Sequence, residues 1–187
     1  MHSTSRRILI ACIGNIFLGD DGFGVEVARW LQDRTTKQYP AGVEVVDFGI
    51  RGMDLAYTLL DDYDTLVLVD AVPRGGSPGT LYLIEPTLTG ISPEQGAEAG
   101  RVALDNHSMD PVKVLAFARA IGAKPIRTLL VGCEPTPIGG DEDYVEMQMG
   151  LSGPVQAAVD KAIKMIDTIV EELGMQQGSC HDDSFSL

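Results

Sequence analysis

The stretch Ile8-Leu9-Ile10-Ala11-Cys12-Ile13-Gly14-Asn15-Ile16-Phe17-Leu18-Gly19-Asp20-Asp21-Gly22-Phe23-Gly24 runs from an apolar segment through a glycine-rich loop into residues of helical periodicity. A buried strand, a glycine-rich loop and a helix in that order commonly cradle a phosphate. Here the loop carries no Lys or Arg and holds two adjacent carboxylates, Asp20 and Asp21, which repel a phosphate. Its spacing fits neither the dinucleotide-binding nor the P-loop pattern. An anionic loop of this architecture attracts a cation or works on a proton. The reading therefore moves from nucleotides to metal or acid–base chemistry.

Outward from this loop, further apolar runs at Val43–Phe48, Thr65–Val69, Thr80–Ile84 and Thr128–Val131 predict strands, rich enough in Val, Ile and Leu to be covered on both faces. Helical patterns lie between them. Phe23, Val27, Trp30 and Leu31 form a stripe on the first helix, and a short second helix is expected over Met53–Leu60. Asp110 and Pro111 read as the cap and first residue of a third, which carries Val114, Leu115, Ala118 and Ile121. The last helix keeps one apolar face from Val155 to Leu173, with Gly174 as its stop. Alternating strands and helices predict a three-layer α/β/α sandwich on a mixed, mostly parallel five-stranded sheet. Val72–Gly79 is too short for a helical crossover, so the fourth strand is expected to be antiparallel. Glu85–Asn106 and Glu134–Gly153 read as long loops, which in compact domains usually serve function.

With 187 residues the chain is most simply one domain, expected over residues 1–174, followed by a polar, disordered tail over 175–187. The net charge of -13 argues against nucleic acid or an anionic membrane as partner and favours a basic segment of another protein. Cys12, Cys133 and Cys180 form no C-x-x-C pair, so neither a disulfide framework nor a zinc knuckle is indicated. A reducing cytoplasm and a monomer are the default expectations. Ser5-Arg6-Arg7 before an apolar run superficially suggests a twin-arginine signal, but the run lacks a small-residue cleavage site and reads better as the first core strand.

Ligands of open α/β sheets bind off the carboxyl ends of the strands. Those ends carry Asn15, Asp20 and Asp21 after the first strand, Asp70 after the third, and Gly132-Cys133-Glu134-Pro135 after the fifth. His107 precedes the third helix and is the one histidine outside the two tails. Carboxylates and an imidazole at one edge suit a borderline divalent metal or an acid–base pair. Each residue also has a plainer reading. One of Asp20 and Asp21 could cap the first helix, Asp70 could bond the turn at Pro73, and Cys133 could be a small buried hydrophobe. Cys180-His181-Asp182-Asp183 is read as a solvated tail rather than a metal site.

Taken together, these residues resemble the hydrogenase maturation endopeptidases, over about Ile8 to Leu173. That family's opening signature, a strand, Gly-Asn, a short spacer, an acidic pair and Gly, is similar to Gly14-Asn15 and Asp20-Asp21-Gly22. Its hydrophobic strand ending in Asp-Ala is similar to Asp70-Ala71, and its His before a helix to His107. The resemblance implies an endopeptidase that removes the C-terminal extension of a [NiFe]-hydrogenase large-subunit precursor after nickel insertion. It implies that Asp21, Asp70 and His107 contact the Ni²⁺ carried by the substrate, with no tightly held metal of the protease's own. Some members have Glu at the first position, and Asp21 shortens that reach by one methylene. The turn Asp47-Phe48-Gly49-Ile50-Arg51-Gly52-Met53 departs from the family's usual Asp-Gly-Gly-Thr and resembles a different branch. Arg51, with Asn15, Asp20 and Glu134, is a candidate substrate contact. His107 is expected to be a neutral, ligand-competent ring, because a helix N-terminus disfavours imidazolium. Two rival readings are a non-catalytic nickel-insertion checkpoint for the same subunit and a metal-dependent small-molecule hydrolase.

Overall fold

The computed structural model describes residues 6–34, 38–86, 111–137 and 147–175. Its five strands are β1 (Ile8–Ile13), β2 (Val43–Gly49), β3 (Thr65–Ala71), β4 (Leu81–Ile84) and β5 (Arg127–Cys133). A 3-10 turn over Gly19–Gly22 leads into α1 (Phe23–Asp33); α2 is Gly52–Thr58, α3 is Pro111–Ala120 and α4 is Gly153–Met175. The sheet order is β2-β1-β3-β5-β4. β1 pairs in parallel with β2 and β3, β3 in parallel with β5, and β4 runs antiparallel to β5, as the short Val72–Gly79 connection requires.

Side-chain alternation along the central strands divides the core into two. Ile8, Ile10 and Cys12 of β1 join Val67 and Val69 of β3 beneath α1 and α4. Leu9, Ala11 and Ile13, with Leu66 and Leu68, face α2 and α3 instead. Continuous apolar runs were needed because both faces of these strands are covered. α1 and α4 are further joined where Arg34 makes a two-pronged ion pair with Asp167, at 3.1 and 2.9 Å. The Tyr39 hydroxyl donates to the same carboxylate at 2.8 Å.

Two details differ from expectation. Trp30 does not complete the buried stripe of α1: it is exposed, and its indole N–H donates to Glu26 at 3.0 Å. The buried face of α1 is narrower, formed by Phe23, Gly24, Val27, Ala28 and Leu31. Gly174 does not stop α4, which continues to Met175. Asp110, His107, most of the Glu85–Asn106 loop, the middle of the Glu134–Gly153 loop and residues 176–187 lie outside the described residues. Among the described residues, no helix is long and apolar enough to cross a membrane.

Candidate functional site

β1 has β2 on one side and β3 on the other, so the chain order reverses between β1 and β3. The crevice at the carboxyl ends of two such strands is where open α/β sheets hold ligands. Asp21 belongs to the loop after β1, and Asp70 lies at the end of β3. The acidic loop expected from sequence therefore meets the strand-end carboxylate at the switch point of the sheet.

Two glycines set this meeting. A Cβ at Gly24 would lie 2.2 Å from the Ile13 carbonyl oxygen and 2.4 Å from that of Val69. The first turn of α1 is thus pressed onto the ends of both β1 and β3, one residue short of Asp70. At Gly14 (φ +141°), a Cβ would lie 1.9 Å from the Asp21 carbonyl oxygen. The loop closes back on itself there, which only glycine allows. The Asn15 N–H then donates to Asp21 Oδ2 at 2.9 Å, and the Asn15 side chain accepts the Phe17 N–H at 3.0 Å. Asn15 is thereby a loop-shaping residue on both counts.

The two adjacent aspartates have separate environments. Asp20 is buried and reaches across the fold: it accepts the Thr136 N–H at 2.8 Å, the Ser152 N–H at 2.6 Å and the Ser152 hydroxyl at 2.8 Å. Burial alone would raise its pKa, but the donors of Ser152 and Thr136 outweigh it and hold the carboxyl below its ordinary value. Asp21 is half-buried, and burial pushes its pKa up against the single opposing N–H of Asn15. A carboxylate in that condition gains from an arriving cation or proton. Neither aspartate caps α1, whose N-cap is Gly22 with no side-chain cap bond.

Asp70 Oδ1 accepts the N–H of its neighbour Ala71 at 2.8 Å. The backbone of the Pro73 turn is bonded by Glu134. Its carboxylate accepts the N–H groups of Arg74 (3.0 and 2.9 Å) and Gly75 (3.0 Å) and the Tyr82 hydroxyl (2.7 Å). The Tyr82 hydrogen bond is the main cause of a lowered Glu134 pKa, with the turn's N–H groups adding to it. Arg51 is similarly engaged at its own turn, donating to the carbonyls of Phe48 (3.2 Å) and Asp47 and pairing with Asp54 at 3.4 Å. Cys133 is buried, and that burial raises its thiol pKa to about 11, as suits a small core hydrophobe. Ser152 and Thr136, which hold Asp20, were not anticipated. The Ser152-Gly153-Pro154 run is a helix-start signal that marks the first of them.

The described residues thus hold Asp21 and Asp70 of the expected triad, and His107 lies outside them. Among the described residues, no three His, Cys, Asp or Glu side chains gather as a metal-binding group. The fold and site define an α/β/α sandwich whose ligand edge presents acids where nucleotide-binding α/β proteins present a phosphate cradle.

Comparison with known proteins narrows that class. The hydrogenase maturation protease profile (HycI) matches residues 25–169, a span that includes Asp70 and His107 and begins just after the acidic loop. The putative hydrogenase maturation protease of Methanocaldococcus jannaschii is 32% identical over 162 residues, covering 86% of this chain and 94% of that one. The hydrogenase 2 maturation protease of Escherichia coli is 28% identical over 171 residues, covering 91% and 94%. Among solved structures, the E. coli hydrogenase maturating endopeptidase HybD superimposes with a TM-score of 0.65 at 28% identity, covering 90% of this chain and 94% of that one. The chain belongs to the hydrogenase maturation protease family. Its activity is accordingly that of a peptidase in hydrogenase maturation.

Proposed function

We infer that this protein is the endopeptidase that removes the C-terminal extension of a [NiFe]-hydrogenase large-subunit precursor once nickel has been inserted. Asp21, Asp70 and His107 contact the nickel that the substrate carries, in the cytoplasm where the precursor is assembled. The observation that carries this reading is the seating of Gly24 on the ends of β1 and β3, which brings the Asp21 loop to the strand that ends in Asp70.

The chemistry follows from the donors. Two carboxylates and a neutral imidazole suit Ni²⁺ and leave coordination positions for the substrate's own ligands. Burial makes the Asp21 charge costly without a cation nearby, so the arriving nickel is favoured there. Held in this way, the metal fixes the register of the nearby scissile bond, and nickel insertion becomes the condition for cleavage. The raised pKa of Asp21 also fits it to take a proton from the attacking water, which is aspartic-type chemistry. In the metal-assisted form the nickel instead polarises the carbonyl or binds that water. Asp20 and Glu134, whose carboxylates are occupied by backbone and hydroxyl donors of the surrounding loops, hold those loops in place.

Cleavage of nickel-loaded precursor by the wild type and by Asp21→Asn, Asp70→Asn and His107→Ala tests the assignment. Loss of about 100-fold or more in each variant is expected. Wild-type rates in any of them would remove that residue from the site. Tight binding of the precursor by the wild type without cleavage would favour a checkpoint protein.

A further inference from the structure

Leu18 and Gln148 form an isolated parallel β-bridge beside the acidic loop. The Gln148 N–H donates to the Phe17 carbonyl at 3.0 Å, and the Gly19 N–H donates to the Gln148 carbonyl at 2.6 Å. The Gln148 side chain lies over Gly19, where an added Cβ would meet its Oε1 at 3.6 Å. In an extended chain, successive residues alternate in both side-chain direction and the side to which N–H and C=O point. Met147 and Met149 therefore turn their backbone polar groups away from Leu18. Among the described residues, no hydrogen bond engages either backbone.

Their side chains are 76% and 71% exposed. Ile16 and Phe17, in the turn that leads into Leu18 across the bridge, are 44% and 49% exposed. Ile16 also touches Gly22, the residue after Asp21, with its Cα 3.2 Å from the position of a Cβ there. Exposed apolar residues thus lie on both sides of the bridge, beside the loop that carries Asp21. Proteins normally protect an unpaired strand edge with a charge, a proline or a covering element. Met147-Gln148-Met149 has neither charge nor proline. Methionine is also the side chain best able to adapt to varied apolar partners.

We propose that the Met147–Met149 edge receives an extended segment of the substrate polypeptide as an added β-strand and leads it past Asp21. Rows of main-chain hydrogen bonds hold the segment, and its alternate apolar side chains rest on Met147, Met149, Ile16 and Phe17. The segment has apolar residues at every second position and basic residues nearby, since the chain carries a net charge of -13. The same charge opposes a second copy of this chain at the edge. This inference rests on the endopeptidase reading.

The test is steady-state cleavage of the nickel-loaded large-subunit precursor by the full chain and its variants. Met147→Ser/Met149→Ser should raise KM by about tenfold with kcat nearly unchanged and the thermal midpoint retained. Met147→Leu/Met149→Leu should keep the wild-type KM. Met149→Pro should raise KM more than Met149→Ala, because proline also removes the outward N–H. An unchanged KM in the double variant would overturn the docking edge while leaving the endopeptidase reading intact. Equal effects of Met149→Pro and Met149→Ala would overturn strand addition. A wild-type dimer in light scattering that the double variant abolishes would place a second copy there instead. A wild type that cleaves no loaded precursor would overturn the endopeptidase reading, and this inference with it.

Discussion

The carboxylate of Asp20 accepts both the backbone N–H and the hydroxyl of Ser152, at 2.6 and 2.8 Å, across 132 positions of sequence. Ser152 immediately precedes α4, and Asp20 also takes the N–H of Thr136 beyond β5. One buried aspartate thus ties the loop after β1 to the loop after β5 and to the start of the longest helix. Among the described residues, its neighbour Asp21 takes only the Asn15 N–H, at 2.9 Å. The acidic pair is thus split between an anchored carboxylate and one that burial leaves with a raised pKa.

Asp20→Ala should destabilise the fold by roughly 2–4 kcal/mol, since three donors lose a charged acceptor and two of them are backbone groups. Its folded pKa lies below the ordinary carboxylate value. The stability it supplies is therefore complete above the unfolded pKa of about 3.9 and is lost as pH falls through the lower folded value. Urea unfolding from pH 7 down to pH 3 should show the gap between wild type and Asp20→Ala closing at the acid end.

Asp21→Asn should have the opposite signature. Burial raises the Asp21 pKa, so the native state binds more protons than the unfolded chain and stability falls as pH rises through the folded value. Removing the charge while keeping an acceptor for Asn15 should leave the variant closest to wild type at acid pH, where both are neutral, and more stable than wild type near pH 7. Cleavage should be lost. Denaturant curves at the two pH values, with an activity assay alongside, check both halves.

Gly24→Ala should cost about 2–3 kcal/mol, because its Cβ has no room between two backbone carbonyls and α1 must shift. The shift moves Asp21 away from the end of β3. Cleavage should therefore fall further than the lowered thermal midpoint accounts for when both are measured well below that midpoint.

Docking of the precursor should weaken with salt. A chain of net charge -13 steers a basic partner over distances comparable to the Debye length, about 10 Å at 0.1 M salt. KM for cleavage should rise severalfold between 50 and 500 mM salt with kcat little changed. A flat KM would remove electrostatic steering from the account.

Much of the architecture was legible because burial on both faces leaves a strong mark. The runs at Ile8–Ile13 and Thr65–Val69 are strands in the structure, with residues of alternate parity feeding the two helix layers. The antiparallel β4 followed from a connection too short to cross the sheet. Asp21 and Asp70 could be placed at one edge because strand ends in this architecture share it. The role of Asp20 could not be read, since its partners are remote in sequence and a cap on α1 was the nearest local explanation. The hydrogen bonds of Glu134 were hidden for the same reason: its partners Arg74, Gly75 and Tyr82 lie on a turn and a strand that reach it only once β4 folds back. Trp30 has the spacing of a core residue, but it lies exposed with its indole N–H satisfied by Glu26 one turn back.

The most direct test of the account is to incubate the purified protein with nickel-loaded and nickel-free large-subunit precursor side by side and to read intact mass. The account predicts loss of a C-terminal peptide from the loaded precursor alone. Equal cleavage of both forms, or cleavage of neither, would contradict it.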